Sequence, residues 1–197
     1  MTYNSPSSNK WDRIYSGKTT PGAPCSALKQ NLHLLPENGL ALDLASGLGA
    51  NAILLAQQGL NVEAWDISKV GLQKLAEQAK RLDLQQTLKT KQIDVEENPP
   101  KALQYDIIVV SFFLHRPICE AIAKALKPGG LLFYQTYHYS KLTNAGPSSS
   151  HFLLQNNELL RLFPELNVLF YQELSNQGNI SVGDRDTATL IAQRPSE

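Results

Sequence analysis

Short, nearly continuous apolar runs alternate with amphipathic stretches through most of the chain, as expected of strands covered on both faces with helices between them. Residues 40–45 form the first such run, and Asn51 opens a helical stretch over 51–58 that Gly59 stops. A second strand is predicted over 61–65. Ser68 then caps a helix reaching about residue 82, whose Leu72, Leu75, Ala76, Ala79 and Leu82 make one apolar stripe. Residues 88–93 predict a third strand, ending at Asp94. Residues 105–110, with Ile107, Ile108, Val109 and Val110 in succession, predict a fourth lying centrally in the sheet. Pro117 suits the first turn of a helix through 125, and Lys127-Pro128-Gly129-Gly130 is a turn feeding a fifth strand over 131–137.

The pattern changes at both ends. Residues 1–10 read as a frayed polar tail, after which Trp11 and Tyr15 stand at helical spacing. A Gly- and Pro-bearing loop over 16–24 precedes a helix over 25–35, with Leu28, Leu32 and Leu35 on one side. Beyond a polar loop over 139–150, a short helix over 158–163 is closed by Pro164. Strands over 167–173 and 187–193, joined by the segment 176–186, then form an antiparallel hairpin. The predicted class is α/β: a single-domain, doubly wound, mostly parallel seven-stranded sheet with a C-terminal antiparallel hairpin. Residues 1–39 supply a tail and covering helices, and 40–197 the domain proper.

The informative stretch is Asp43-Leu44-Ala45-Ser46-Gly47-Leu48-Gly49, between the first strand and first helix, followed by Asp66 closing the second strand. Strand, tight Gly-x-Gly turn, helix and acid-terminated strand make a Rossmann-like nucleotide-binding unit. Gly47 and Gly49 admit positive φ and close approach of backbone to ligand. Asp66 stands about 20 residues past the first glycine, where a carboxylate accepts from ribose hydroxyls. The third glycine of a dinucleotide fingerprint is replaced by Ala52, which is tolerated, so that test does not separate cofactors. Asp43 does: an anion at the end of the first strand repels a pyrophosphate and attracts a sulfonium or ammonium.

Composition narrows the partners. Lys plus Arg balances Asp plus Glu at 18 each, and no basic face is evident, which argues against nucleic acid. No apolar run approaches the ~20 residues of a membrane span, and the first ten residues lack a signal-peptide core, so a cytoplasmic protein with no membrane partner is expected. Cys25 and Cys119 lack metal-ligand or disulfide-framework spacing, and no metal centre is expected. Asn98-Pro99-Pro100-Lys101 resembles a DNA amino-methylation motif, but it follows the wrong strand and ends in lysine rather than an aromatic residue, so it is read as a turn.

Taken together, the glycine turn, Asp66, Asp94, the strand over 105–111, Leu126-Lys127-Pro128-Gly129-Gly130 and the terminal hairpin resemble a class I S-adenosylmethionine-dependent methyltransferase. Ala64-Trp65-Asp66 and the entry Trp11-Asp12-Arg13-Ile14-Tyr15 resemble, within it, the tellurite-resistance-protein-B-like group of small-molecule methyltransferases. Ala45 departs from the family's commoner glycine. The resemblance implies S-adenosyl-L-methionine as cofactor and S-adenosyl-L-homocysteine as product. It implies Asp43 near the methionine amino group, with Ala45, Ser46, Gly47 and Gly49 lining the methionine moiety. Asp66 would hold the ribose, Ile67 would stack under the adenine, and Asp94 would accept from the adenine amino group with Val95 covering the base. Ser111 and Phe112 would form the floor below the sulfonium.

Trp11 and Tyr15 are read two ways, as a lid over the cofactor or as a packed helix end. Asp66 and Asp94 have a plain alternative as strand-end or capping carboxylates. His115 and Arg116, after the fourth strand, are the catalytic candidates: a base, and a clamp for an anionic acceptor. Each also has a structural reading. The acceptor is expected to be a small molecule, such as a thiol, a metalloid oxyanion or another soft nucleophile, methylated by in-line displacement, and the protein a monomer or homodimer. Two alternatives stand beside this: an NAD(P)-dependent oxidoreductase, for which Tyr137 and Lys141 have the spacing but not the helix, and a non-catalytic cofactor-binding module.

Overall fold

The computed structural model describes residues 5–196. Its seven strands are β1 (Leu40–Leu44), β2 (Asn61–Asp66), β3 (Leu88–Gln92), β4 (Tyr105–Ser111), β5 (Leu126–Tyr137), β6 (Asn167–Glu173) and β7 (Thr187–Gln193). They form one sheet in the order β3-β2-β1-β4-β5-β7-β6. β3 through β5 run parallel; β7 is antiparallel to both β5 and β6. β4, the most apolar strand, is therefore the middle one.

Among the described residues, six helices flank the sheet: α1 (Pro6–Ser16), α2 (Ser26–Lys29), α3 (Ala50–Gln57), α4 (Lys69–Arg81), α5 (Cys119–Ala125) and α6 (Glu158–Leu162). The two-residue alternation of the strands divides the core. Leu42, Leu44, Ile108, Val110, Leu132 and Tyr134 pack on α5 and α6. Ala41, Ile107, Val109 and Phe133 point the other way, onto α2, α3 and α4. Among the described residues, no helix is long and apolar enough to cross a membrane.

The expected helix over 25–35 is broken: α2 ends at Lys29, and Leu32–Leu34 form a separate 3-10 turn. The Asn31 side chain reaches back to the Ala27 carbonyl at 3.0 Å and competes for a helical acceptor. The tail over 1–10 is shorter than expected. Residues 1–4 lie outside those described, but helix starts at Pro6, because Ser5 caps the Ser8 N–H and proline occupies the first turn. Lys127 to Gly130 fall inside β5, where they are extruded as an irregularity: Tyr105 pairs with Leu126, and Ile107 next with Leu131.

At the outer edge, β6 carries three exposed apolar side chains in a row, Val168, Leu169 and Phe170, and its pairing with β7 slips a residue between Val168 and Phe170.

Candidate active site

The turn after β1 folds back sharply because Ala45, Gly47 and Gly49 all have positive φ, at 57°, 56° and 76°. Ala45 takes that conformation against its preference, at a cost of order 1 kcal/mol. Gly49 starts α3 in the left-handed region, and a Cβ there would lie 2.3 Å from Leu75 Cδ1. At Gly47 a Cβ would meet the Tyr15 hydroxyl at 2.7 Å, so α1 rests on the turn itself.

Two carboxylates organise this region. Asp66 is nearly fully buried; one oxygen accepts from the Gly47 N–H and the other from the Ser68 N–H, each at 2.7 Å. The second strand thus holds the glycine turn and the start of α4 together. Burial raises its pKa to about 6, against the downward pull of those hydrogen bonds. Each oxygen keeps a lone pair, and Asp66 lines a cavity of about 640 Å³ at the carboxyl ends of the parallel strands.

Asp43 differs from the expectation. It is completely buried, accepts from the Ala52 N–H at 3.0 Å and from the Asn51 side-chain amide at 3.4 Å, and is absent from the cavity wall. Its oxygens are spent on the first turn of α3, whose free N–H groups attract an anion. Burial pushes its pKa up to about 7, with Ala52 and Asn51 pulling down. Asn51 reaches the cavity instead. Its side chain accepts from the Cys25 N–H at 2.9 Å and donates to Ser111 Oγ at 2.8 Å, joining α2, α3 and the end of β4. A buried asparagine in the first turn of a mostly apolar helix was the signal for it.

Along the cavity wall beyond Asp66 follow Ile67, Asp94 and Val95. Ser46 lines the cavity at the glycine turn; its Oγ is buried and has no hydrogen-bond partner. Gly49 stays behind the wall. Ser111 and Phe112 close the far end of β4, with Phe112 in the left-handed region (φ 56°) and half exposed against Tyr137, ring centres 5.2 Å apart.

α1 forms the roof. Trp11 and Tyr15 stack at 5.5 Å and both line the cavity. Between them, Asp12 accepts from Ser68 Oγ at 2.5 Å and from the Val70 N–H at 3.0 Å. Lys74 donates to the Tyr15 and Ser16 carbonyls at 2.7 and 3.0 Å. Burial, with Asp66 and Asp43 nearby, raises the Tyr15 hydroxyl well beyond its usual range. Asp12 and Lys74 are not legible as a latch in sequence, because they pair helices 56 or more residues apart.

The two catalytic candidates do not reach the cavity. Arg116 donates to both Glu158 oxygens at 2.6 and 3.1 Å and to the carbonyls of His151 and Leu153. It ties α6 and the loop after β5 to the sheet and has no free face for an anionic acceptor. His115 Nδ1 lies 3.5 Å from Glu96 and outside the cavity wall. Arg116→Lys is expected to lose the forked contact and lower stability by about 1–3 kcal/mol, with S-adenosylhomocysteine affinity unchanged within twofold; thermal melts and calorimetric titration check both. Lys141, the other half of a hydride-transfer pair, is committed to the Ala145 and Pro147 carbonyls at 2.6 and 2.8 Å and stands over the Tyr137 ring rather than its hydroxyl.

Residues 41–130 match the family model of a methyltransferase domain. No curated protein sequence matches the chain. Among solved structures, TehB from Haemophilus influenzae is 22% identical with a TM-score of 0.70, over 94% of this chain and 67% of that one. A SAM-dependent methyltransferase from Aquifex aeolicus is 15% identical with a TM-score of 0.67, over 97% and 99%. The geranyl diphosphate C-methyltransferase of Streptomyces coelicolor A3(2), solved with Mg2+, geranyl diphosphate and S-adenosyl-L-homocysteine, is 13% identical with a TM-score of 0.69, over 98% and 100%. At these identities the likeness is one of fold.

Proposed function

We propose that this chain, whose residues 41–130 match a methyltransferase-domain model, transfers a methyl group from S-adenosyl-L-methionine to a small molecule. The observation that carries the reading is the glycine turn locked to Asp66 at the mouth of a cavity of about 640 Å³, with the unpartnered Ser46 Oγ buried in its wall. That cavity is large enough for a nucleoside cofactor and an acceptor together. Asp66 holds the ribose hydroxyls, Ile67 and Val95 face the adenine, Asp94 accepts from its amino group, and Ser46 with Asn51 meets the methionine end. The cofactor supplies a methyl carbon already activated by a sulfonium. The chain's own task is therefore alignment and exclusion of water, and Trp11 and Tyr15 do the latter from α1, the lid within residues 1–39.

Binding separates this reading from the others. S-adenosylhomocysteine should raise the melting temperature with the logarithm of its excess over the dissociation constant, while nicotinamide dinucleotides leave it unchanged. The reverse result would establish an oxidoreductase; cofactor binding without turnover of any acceptor would favour a silent binding module.

The affinity should also depend on pH. Ribose hydroxyls donate to an ionised carboxylate, so protonation of Asp66 opposes binding. Its value of about 6 predicts full affinity at pH 8 and a fall approaching tenfold per unit below pH 6. Calorimetric titrations from pH 5 to 8 check this; a flat profile would remove Asp66 from the ribose site.

A further inference from the structure

Past the ends of β4 and β5, the cavity beyond the proposed cofactor is walled by Phe112, Tyr137 and Phe152, with Pro147 and Gly146 beside them. The acids of the wall, Asp66, Asp94 and Glu96, follow β2 and β3, on the other side of β1 from β4 and β5. The nearby cations are spent: Arg116 on Glu158 and two carbonyls, Lys141 on the Ala145 and Pro147 carbonyls. Lys10 and Lys18, which also line the cavity, stand over Trp11 and Tyr15 on α1, the side of the glycine turn. Glu96, the acid of the wall that reaches toward the loop after β4, lies 3.5 Å from His115 Nδ1. Tyr137 is the titratable residue of this end, and burial with Asp186 nearby raises its pKa, so it stays protonated at neutral pH. Cys25, toward the methionine end, has a thiol lifted to about 12 by burial, and the imidazole of His151 packs edge-on against Phe152 from outside the wall.

An oxyanion, a carboxylate or a thiolate would thus enter an aromatic cleft where Phe112, Tyr137 and Phe152 offer no cation to offset its desolvation. None of Phe112, Tyr137 and Phe152 can take a proton from a thiol or phenol. Resting on the methyltransferase reading above, we propose that the acceptor is an uncharged, flat, apolar molecule that gives a lone pair and loses no proton, seated among Phe112, Tyr137 and Phe152. The lone pair of an aromatic-ring nitrogen or a thioether sulfur forms the bond to the methyl carbon, the carbon–sulfur pair stays with the departing sulfur, and positive charge passes to the acceptor. The net charge in the cavity does not change, and the onium product meets aromatic faces that favour a cation.

The test begins with S-adenosylhomocysteine titrated into the full chain; failure to bind would overturn the methyltransferase reading itself. With binding established, quinoline and thioanisole are titrated into the binary complex and assayed with S-adenosylmethionine against benzoate, 2-mercaptoethanol and tellurite. The uncharged pair should bind and be methylated at least tenfold more efficiently than the others, with kcat/KM flat from pH 7 to 9. Phe152→Ala should raise their dissociation constants about tenfold while that of S-adenosylhomocysteine moves less than twofold, and His151→Ala should leave kcat within twofold. Preference for an anion, a kcat/KM that climbs with pH as a proton is lost, a tenfold loss in His151→Ala, or cofactor binding with neither uncharged probe bound would each overturn the proposal.

Discussion

Asp66→Asn is expected to weaken S-adenosylhomocysteine binding by about two orders of magnitude or more while the fold survives. Two donors, the Gly47 and Ser68 N–H groups, converge on this carboxylate at 2.7 Å. An asparagine accepts from one and turns its NH2 toward the other, so a buried N–H loses its partner and the charge that the ribose would meet is gone. Hydrogen bonds to charged groups are worth about 1.5–3 kcal/mol each, and about 1.4 kcal/mol is tenfold in affinity. Part of the loss reaches the fold, since the same carboxylate ties the glycine turn to α4. A drop of a few degrees in melting temperature should accompany an unchanged circular dichroism spectrum. Titration calorimetry gives the affinity, and a wild-type dissociation constant in the variant would sink the ribose assignment.

Gly49→Ala should be among the most damaging single-methyl changes in the chain. The added Cβ would sit 2.3, 2.4 and 2.8 Å from three atoms of Leu75, which is fully buried on α4. The residue also keeps φ at +76°, where an L side chain costs about 1 kcal/mol or more. Overpacking in a closed core adds about 1–3 kcal/mol, and each kcal/mol lowers the melting temperature by about 2–4 °C in a domain of this size. A fall of roughly 5–15 °C is expected. Adding Leu75→Ala should recover part of it, because the two changes meet in the same space and their costs do not add. Simple additivity in the double variant would show that backbone strain, not the clash, dominates.

What could be read from the residues divides along range. The central place of β4, the Ser68 cap and the antiparallel β6 and β7 rest on local pattern, and the structure has all of them. The start of α1 was written locally too, in Ser5-Pro6, but the polarity of the first ten residues masked it; Ser8 is buried because its hydroxyl reaches the Ile67 carbonyl at 3.4 Å. The site was less legible. The sign of Asp43's charge says nothing of its direction, and the free N–H groups of α3 turn its oxygens away from the cavity. Arg116 looked available because Glu158, its partner, lies 42 residues away in sequence. Which cations remain free for a substrate is a property of the folded chain, and no local pattern in the sequence reports it.

The outer strand has a consequence for the protein at high concentration. Exposed Val168, Leu169 and Phe170 on an open sheet edge would ordinarily template a neighbouring molecule's strand and seed growth of a continuous sheet. The slipped residue between Val168 and Phe170 breaks the even spacing of outward N–H and C=O groups that such an addition requires. The irregularity works as a stop codon for sheet propagation, and straightening it by deleting Leu169 would convert a terminating edge into a sticky one.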